Sequence, residues 1–338
     1  MSNHTELFDV TIIGGGPVGL FTAFYSGMRE MKTKIIEYLP FLGGKVSYFY
    51  PEKIIRDIGG LTKISGRDLT DNLIEQAMTF DPTIVLKEQV LYVEKLADGT
   101  FMLTSSNGNK HHTKSIILAT GFGTLKSVKL ELPNSGKFEE KSLHYTIKKL
   151  SDYKGKHVLI SGGGNSAIDW ANELEPIAEK VTLIYRKPQF TGIESNVTKM
   201  MNSTVQVLNP YELTELKEEN GKLSSAVIKH VNTQAFQEIK IDNIIVNHGF
   251  HIDLGPITNW GMIMKDGTIK VDESMSTSIP GIFAIGDISN YPNKLGLIAG
   301  GFNEGPIAVN QAKQYISPKE HLGHIYSTNY EPLIRNDK

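Results

Sequence analysis

Phe8-Asp9-Val10-Thr11-Ile12-Ile13-Gly14-Gly15-Gly16-Pro17-Val18-Gly19 is the stretch that decides the fold class. An apolar run rich in Val and Ile meets a glycine triplet, and apolar positions at helical spacing resume from about Val18 to Glu30. A second apolar run, Thr33 to Ile36, ends at Glu37. Strand, glycine turn, helix and strand make a βαβ unit. Within it, Gly14-x-Gly16-x-x-Gly19 gives each glycine a physical task. One permits the tight turn, one lets the backbone approach a diphosphate, and one lets the helix pack close to the strand. The helix N-terminus then faces the phosphates, and Glu37 stands where an acid can accept the ribose hydroxyls of an adenosine.

Outward from this unit, Leu69 to Phe80 has the pattern of an amphipathic helix, stopped by Asp81-Pro82. Val90 to Leu96 and Phe101 to Thr104 flank an Asp98-Gly99 hairpin turn, and Ser115 to Ala119 is a strand running into Thr120-Gly121. The opening pattern then returns. His157 to Ser161 is a strand, Gly162-x-Gly164-x-x-Ala167 breaks it, Ser166 to Leu174 is a helix, and Val181 to Tyr185 is the next strand. That strand ends in Arg186-Lys187 with no acid, and two cations attract a 2′-phosphate that a carboxylate would repel, so NADPH is expected over NADH. Glu219 to Lys222 reads as a hairpin turn, and Ile244 to Asn247 as a closing strand before Gly249. Phe283-Ala284-Ile285-Gly286-Asp287 is a strand ending in Gly-Asp, which can place a carboxylate at a flavin's ribityl chain or diphosphate. With no third βαβ opening, the tail from Gly281 to Ile316 is expected to return to the first domain. Two dinucleotide motifs in one chain predict hydride exchange between two dinucleotides, FAD and NADPH.

The composition bounds this picture. The 338 residues suit two domains, and 40% apolar with 21% charged residues can bury a core. Lys plus Arg is 35 against 37 Asp plus Glu, a net charge of -2, without the basic excess of a general nucleic-acid binder. There is no cysteine, which removes disulfides, Cys-ligated metals, iron–sulfur clusters and thiol mechanisms. No basic and apolar leader and no apolar run of membrane length is visible, so a cytoplasmic protein without membrane attachment is expected.

The first triplet, the Thr120-Gly121 break, the second triplet and the Gly286-Asp287 element together resemble the thioredoxin-reductase-like flavoproteins. Those carry a redox dithiol shortly before the second triplet; here that stretch, Leu143 to Lys149, has no cysteine, so a dithiol relay is chemically impossible. What remains resembles the thioredoxin-reductase-like ferredoxin–NADP reductases of bacteria over nearly the whole chain. The stretches that carry the likeness are Ile12 to Gly27, Leu42 to Ile58, Leu254 to Gly261, Gly281 to Ala312 and the extension around Tyr326-Ser327-Thr328.

The resemblance implies an α/β protein with two Rossmann-like dinucleotide-binding domains of the pyridine nucleotide-disulfide reductase type. A discontinuous FAD domain would span 1–120 and 247–338, with a C-terminal extension, and an NADPH domain 121–246. Glu37, Lys45, Tyr50, Val90, Leu125, Asp287 and Thr328 would line the FAD beside Gly14, Gly16 and Gly19. Tyr50 would stack on one face of the flavin and Tyr326 lie near the other. Gly162, Gly164, Ala167, Arg186 and Lys187 would hold NADPH, with Thr191 standing where the family has a further Arg. The implied activity moves electrons between NADPH and ferredoxin or flavodoxin through FAD, in a homodimer, with Gly121 and Gly249 as hinges. The carriers are acidic, and Lys126, Lys129, Lys148, Lys149, Lys154 and Lys156 offer a basic stretch for docking.

Rival chemistries find less support. A G-x-S-x-G elbow and a G-x-x-x-x-G-K-[ST] loop are both absent. His111-His112 and the pair His248 and His251 lack the supporting acids of a metal site, and no metal is expected. A flavin monooxygenase or NADPH oxidase-like enzyme would need an organic substrate pocket for which no fingerprint stands between the triplets. A flavin redox sensor without turnover would not need the second triplet.

Overall fold

The computed structural model describes residues 5–320, 323 and 325–330, and of Leu125 the backbone alone. The chain divides into two compact units, one of residues 1–48, 53–124 and 252–338, the other of residues 49–52 and 125–251.

The first unit is built on β1 (Leu7–Ile13), α1 (Pro17–Met28) and β2 (Thr33–Glu37). A short helix α2 (Gly44–Phe49) and a longer one, α3 (Gly66–Met78), precede β3 (Thr83–Leu86), and then come β4 (Val90–Lys95), β5 (Phe101–Ser105) and β6 (Lys110–Leu118). The sheet order is β3-β2-β1-β6-β5-β4. Strands β3, β2, β1 and β6 are parallel, whereas β4, β5 and β6 form an antiparallel meander. Strand β6 serves both patterns along its length: Lys110 to Thr113 pair with β5, and Ile116 to Leu118 pair with the strand Ile282–Ala284 near the end of the chain. That late strand thus completes the first sheet. Val10, Ile12, Ile35, Ile116, Ile117, Leu118 and Phe283 are buried in the core of this unit.

The second unit takes over within strand β7 (Thr124–Ser127). Its main elements are β8 (Leu143–His144), β9 (His157–Ser161), α4 (Asn165–Leu174), β10 (Lys180–Ile184), α5 (Glu194–Met201) and β11 (Gln206–Leu208). An antiparallel layer follows, β12 (Tyr211–Glu219), β13 (Lys222–His230) and β14 (Phe236–Lys240), then β15 (Asn243–Val246) and the returning strand β16 (Phe250–Asp253). The parallel sheet has the order β8-β15-β9-β10-β11. Alternate residues of its strands enter different cores. Val158, Ile160 and Ile245 pack with Ile168 and Trp170 of α4, while Leu159, Ile244 and Val246 pack with Leu216, Ala226 and Ile228 of the antiparallel layer. Burial on both faces is why these strands read as unbroken apolar runs.

Strands β7 and β16 pair with each other, so the compact units change over a few residues beyond 120 and 246, within a ribbon. Residues 49–52 group with the second unit because Phe49 packs edge-on against Phe250 at 5.0 Å and its carbonyl accepts from Thr146 Oγ1 at 2.8 Å. The late strand and helix α6 (Ile298–Ile316) return to the first unit, where α6 lies against α1.

Candidate dinucleotide sites

In the first unit the site is the carboxyl edge of β1, β2 and β6. Gly14 takes φ +111° and its N–H donates to the Ile36 carbonyl at 2.9 Å, turning the chain sharply out of β1. A Cβ on Gly19 would lie 2.0 Å from the Gly14 carbonyl oxygen, so only glycine lets α1 approach the turn this closely. A Cβ on Gly16, by contrast, would meet nothing nearer than Gly44 Cα at 3.9 Å. The space in front of Gly16 is open.

Helix caps separate structure from function here. Helix α3 starts with Ser65 Oγ accepting the Asp68 N–H at 3.0 Å, an ordinary side-chain cap. Helices α1 and α4 both start at a glycine, with no side-chain cap and no acid in the first turn. Their orphan N–H groups, together with the positive end of the helix dipole, suit an anion.

Glu37 is buried at the end of β2, its carboxylate accepting the Gly15 N–H at 2.7 Å and the Leu39 N–H at 2.8 Å. Burial pushes its pKa up, and the backbone donors pull the other way. A carboxylate has roughly four acceptor positions, so acceptor capacity remains for a hydroxyl donor. Lys45 lies one residue inside α2, its ammonium buried without a hydrogen-bond partner among the described residues and 4.2 Å from the centre of the Phe122 ring. Desolvation lowers its pKa to about 8, against a partial counter-pull from Asp287. Thr120 Oγ1, just beyond β6, is likewise buried and unpartnered among the described residues.

Asp287 follows the strand Ile282–Ala284 in a short helical turn and, with Phe122, Ser289, Tyr291 and Lys294, lines a cavity of about 410 Å³. The turn is held from behind by Glu304 of α6, which accepts from the Gly286 N–H at 2.6 Å and the Tyr291 hydroxyl at 2.6 Å and pairs with Lys294. Nothing in the sequence pattern marked this buried acid; a Glu inside an otherwise small and apolar helix face was the available signal. Val90 is buried at the start of β4, and the side chain of Leu125 lies outside the described residues.

Two residues expected at the faces of the flavin ring are Tyr50 and Tyr326. Tyr50 belongs to the segment grouped with the second unit. Tyr326 is exposed and starts the turn that holds Thr328, and Tyr330, just beyond, sits edge-on against Phe80 at 5.7 Å. Phe80 packs against Phe24 and Gly27, at the end of α1 remote from Gly16. The structure does not bring Thr328 and Tyr326 to the glycine turn.

In the second unit the same edge is built by β15, β9 and β10. The Gly162 N–H donates to the Ile184 carbonyl at 3.0 Å, and Gly164 begins α4. A Cβ on Gly163 would lie 2.3 Å from the Tyr185 ring. Ala167 is fully buried where the first motif has its third glycine. Arg186 and Lys187 are exposed in the turn after β10. Tyr185 stacks on Phe190 at 5.5 Å, and Thr191 ties this turn to the glycine loop, its N–H donating to the Gly163 carbonyl at 2.9 Å. Thr191 is therefore a latch on the loop. His248, set aside as a metal ligand from the sequence, stands at this edge too, its Nε2 2.8 Å from Ser161 Oγ. Among the described residues no group of three or more His, Asp and Glu side chains could hold a metal.

Two parallel-sheet units, each turning through a glycine loop into an uncapped helix, define a two-site dinucleotide-binding protein. The profile described as pyridine nucleotide-disulphide oxidoreductase matches residues 8–312, and the chain belongs to that family. A protein of Bacillus velezensis named ferredoxin–NADP reductase 1 is 52% identical over 99% of this chain and 99% of its own length. One of Listeria monocytogenes with the same name is 50% identical over 97% of this chain and 99% of its own. Among solved structures, the thioredoxin reductase of Lactococcus lactis is 26% identical with a TM-score of 0.74, covering 92% of this chain and 99% of that one. The fold is also that of the T. acidophilum thioredoxin reductase, 22% identical with a TM-score of 0.75, over 93% of this chain and 99% of that one.

Proposed function

We propose that this chain is a ferredoxin–NADP reductase, carrying electrons between NADPH and a one-electron carrier, ferredoxin or flavodoxin, through FAD. The observation that carries the proposal is a pair of uncapped glycine-loop sites, one per unit, in a chain without a thiol. Full-length likeness to proteins named for that activity supports it.

FAD fits the first unit. The N–H groups at the start of α1 face open space beside Gly16, Glu37 has acceptor capacity left for ribose hydroxyls, and Asp287 and the unpartnered Lys45 ammonium supply a carboxylate and a cation. When bound, FAD supplies the conversion between a hydride and two single electrons. The chain's own residues then bind, orient and set charge; no acid–base group is required of them. The second unit is assigned to NADPH, with the start of α4 facing the diphosphate and exposed Arg186 and Lys187 meeting the 2′-phosphate. Tyr50 and Tyr326 are proposed flavin-stacking residues, and Val90, Leu125 and Thr328 complete the proposed lining.

The carrier is proposed to dock on the second unit, where Lys126, Lys129, Lys148, Lys149, Lys154 and Lys156 are all exposed. The working form is proposed as a homodimer in the cytoplasm, where NADPH and such carriers meet. No helix among the described residues is long and apolar enough to cross a membrane. The test is optical. Purified protein should show flavin absorption that NADPH bleaches without oxygen and a one-electron acceptor restores; a colourless protein, or a flavin indifferent to NADPH, would contradict the assignment.

A further inference from the structure

We propose that His248 is a phosphate contact of the nicotinamide dinucleotide and takes up a proton when that dinucleotide binds. The inference rests on the assignment of the second unit to NADPH. Strand β9 is flanked by β15 on one side and β10 on the other. Gly162 leaves β9, Arg186 follows β10, and His248 follows β15. The glycine loop therefore has a guanidinium at one flank and an imidazole at the other.

The imidazole is pinned and available at once. Its Nε2 is 2.8 Å from Ser161 Oγ, which fixes the ring, while the residue is exposed and its Nδ1 has no hydrogen bond among the described residues. The donors available to an anion beside the loop are thus the imidazole and the uncapped N–H groups at the start of α4. An anion seated there lies between Arg186 and His248.

The charges around the ring set the sign. Partial desolvation against the strand ends, and next the Arg186 cation from the turn after β10, hold its pKa below that of an ordinary imidazole. Ser161 on β9 adds a neutral contact, and no carboxylate among the described residues perturbs it. Both effects favour the neutral ring in the absence of ligand. A phosphate brings negative charge beside both the Arg186 guanidinium and the ring and favours the imidazolium, so the bound state holds more protons and affinity rises as pH falls.

The experiment is calorimetry of NADP+ binding to the purified holoprotein at pH 7, in two buffers of different ionisation enthalpy, for the wild type and His248→Gln. The 2′-phosphate changes its own protonation equally in both, so the difference isolates the imidazole. The wild type should take up more protons per site than the variant, and its Kd should tighten severalfold more between pH 8 and pH 6. Equal uptake and parallel pH profiles would overturn the proposal. In the wild type alone, the imidazole followed by NMR should titrate at higher pH with NADP+ than without; an unmoved titration would overturn it equally. Protein that binds no NADP+ at any pH would instead refute the nucleotide assignment on which the proposal stands.

Discussion

Glu37 and Lys45 show how single residues carry the proposed flavin site, because each is charged, largely buried and under-used by the protein itself. Glu37→Ala would leave the Gly15 and Leu39 N–H groups without their acceptor, at about 1–3 kcal/mol for each orphaned donor. The variant is expected to melt several degrees lower and to lose FAD on gel filtration, read from the flavin absorbance of the protein peak. Lys45 makes a pH prediction. Its folded-state pKa of about 8 lies below the ordinary 10.5, so the folded chain sheds this proton more readily than the unfolded one. Stability of nucleotide-stripped protein should therefore rise with pH between about 8 and 10.5, and thermal melts of Lys45→Met should lack that rise. Of these two residues, Glu37 was legible from its place after a strand, whereas Lys45 owes its burial to Phe122 and Asp287, distant in sequence, and a burial assembled from remote segments leaves no local pattern.

The elements that open each unit explain what the glycines and cations do together. Gly19→Ala would drive a methyl into the Gly14 carbonyl, forcing α1 away from β1. Overpacking of this kind costs about 1–3 kcal/mol, and the variant should show a lower melting temperature together with weaker FAD retention. In the second unit, Arg186→Ala should raise KM for NADPH about tenfold or more, from loss of a charge-assisted contact worth roughly 1.5–3 kcal/mol, while leaving KM for NADH nearly unchanged in steady-state assays. Both βαβ openings were legible because turn chemistry and apolar period sit side by side in the chain. Thr191 was legible only as a missing cation; its bond to Gly163, which makes it a latch, depends on how the turn folds back. The antiparallel layer β12 to β14 announced itself through the turn at Asn220-Gly221, but that it covers one face of the parallel sheet follows from core packing alone. Phe49 pairing with Phe250, and the tail turn resting by Phe80, are contacts between segments far apart in sequence that no local periodicity reports.

For the whole molecule, one feature of composition shapes the chemistry: a thioredoxin-reductase fold without cysteine has no dithiol to receive electrons, so they must leave the proposed flavin directly. The exposed lysines of the second unit then become the proposed landing surface for an acidic carrier. Charge-steered encounters weaken with salt, so raising ionic strength should slow carrier reduction severalfold while NADPH bleaching of the flavin changes less. The central claim is tested most directly by anaerobic reduction of ferredoxin with catalytic amounts of the protein, NADPH and NADH being compared as donors. Fast turnover with NADPH and much slower turnover with NADH is the predicted result. A flavin that NADPH reduces but that passes no electrons to ferredoxin or flavodoxin would contradict the account.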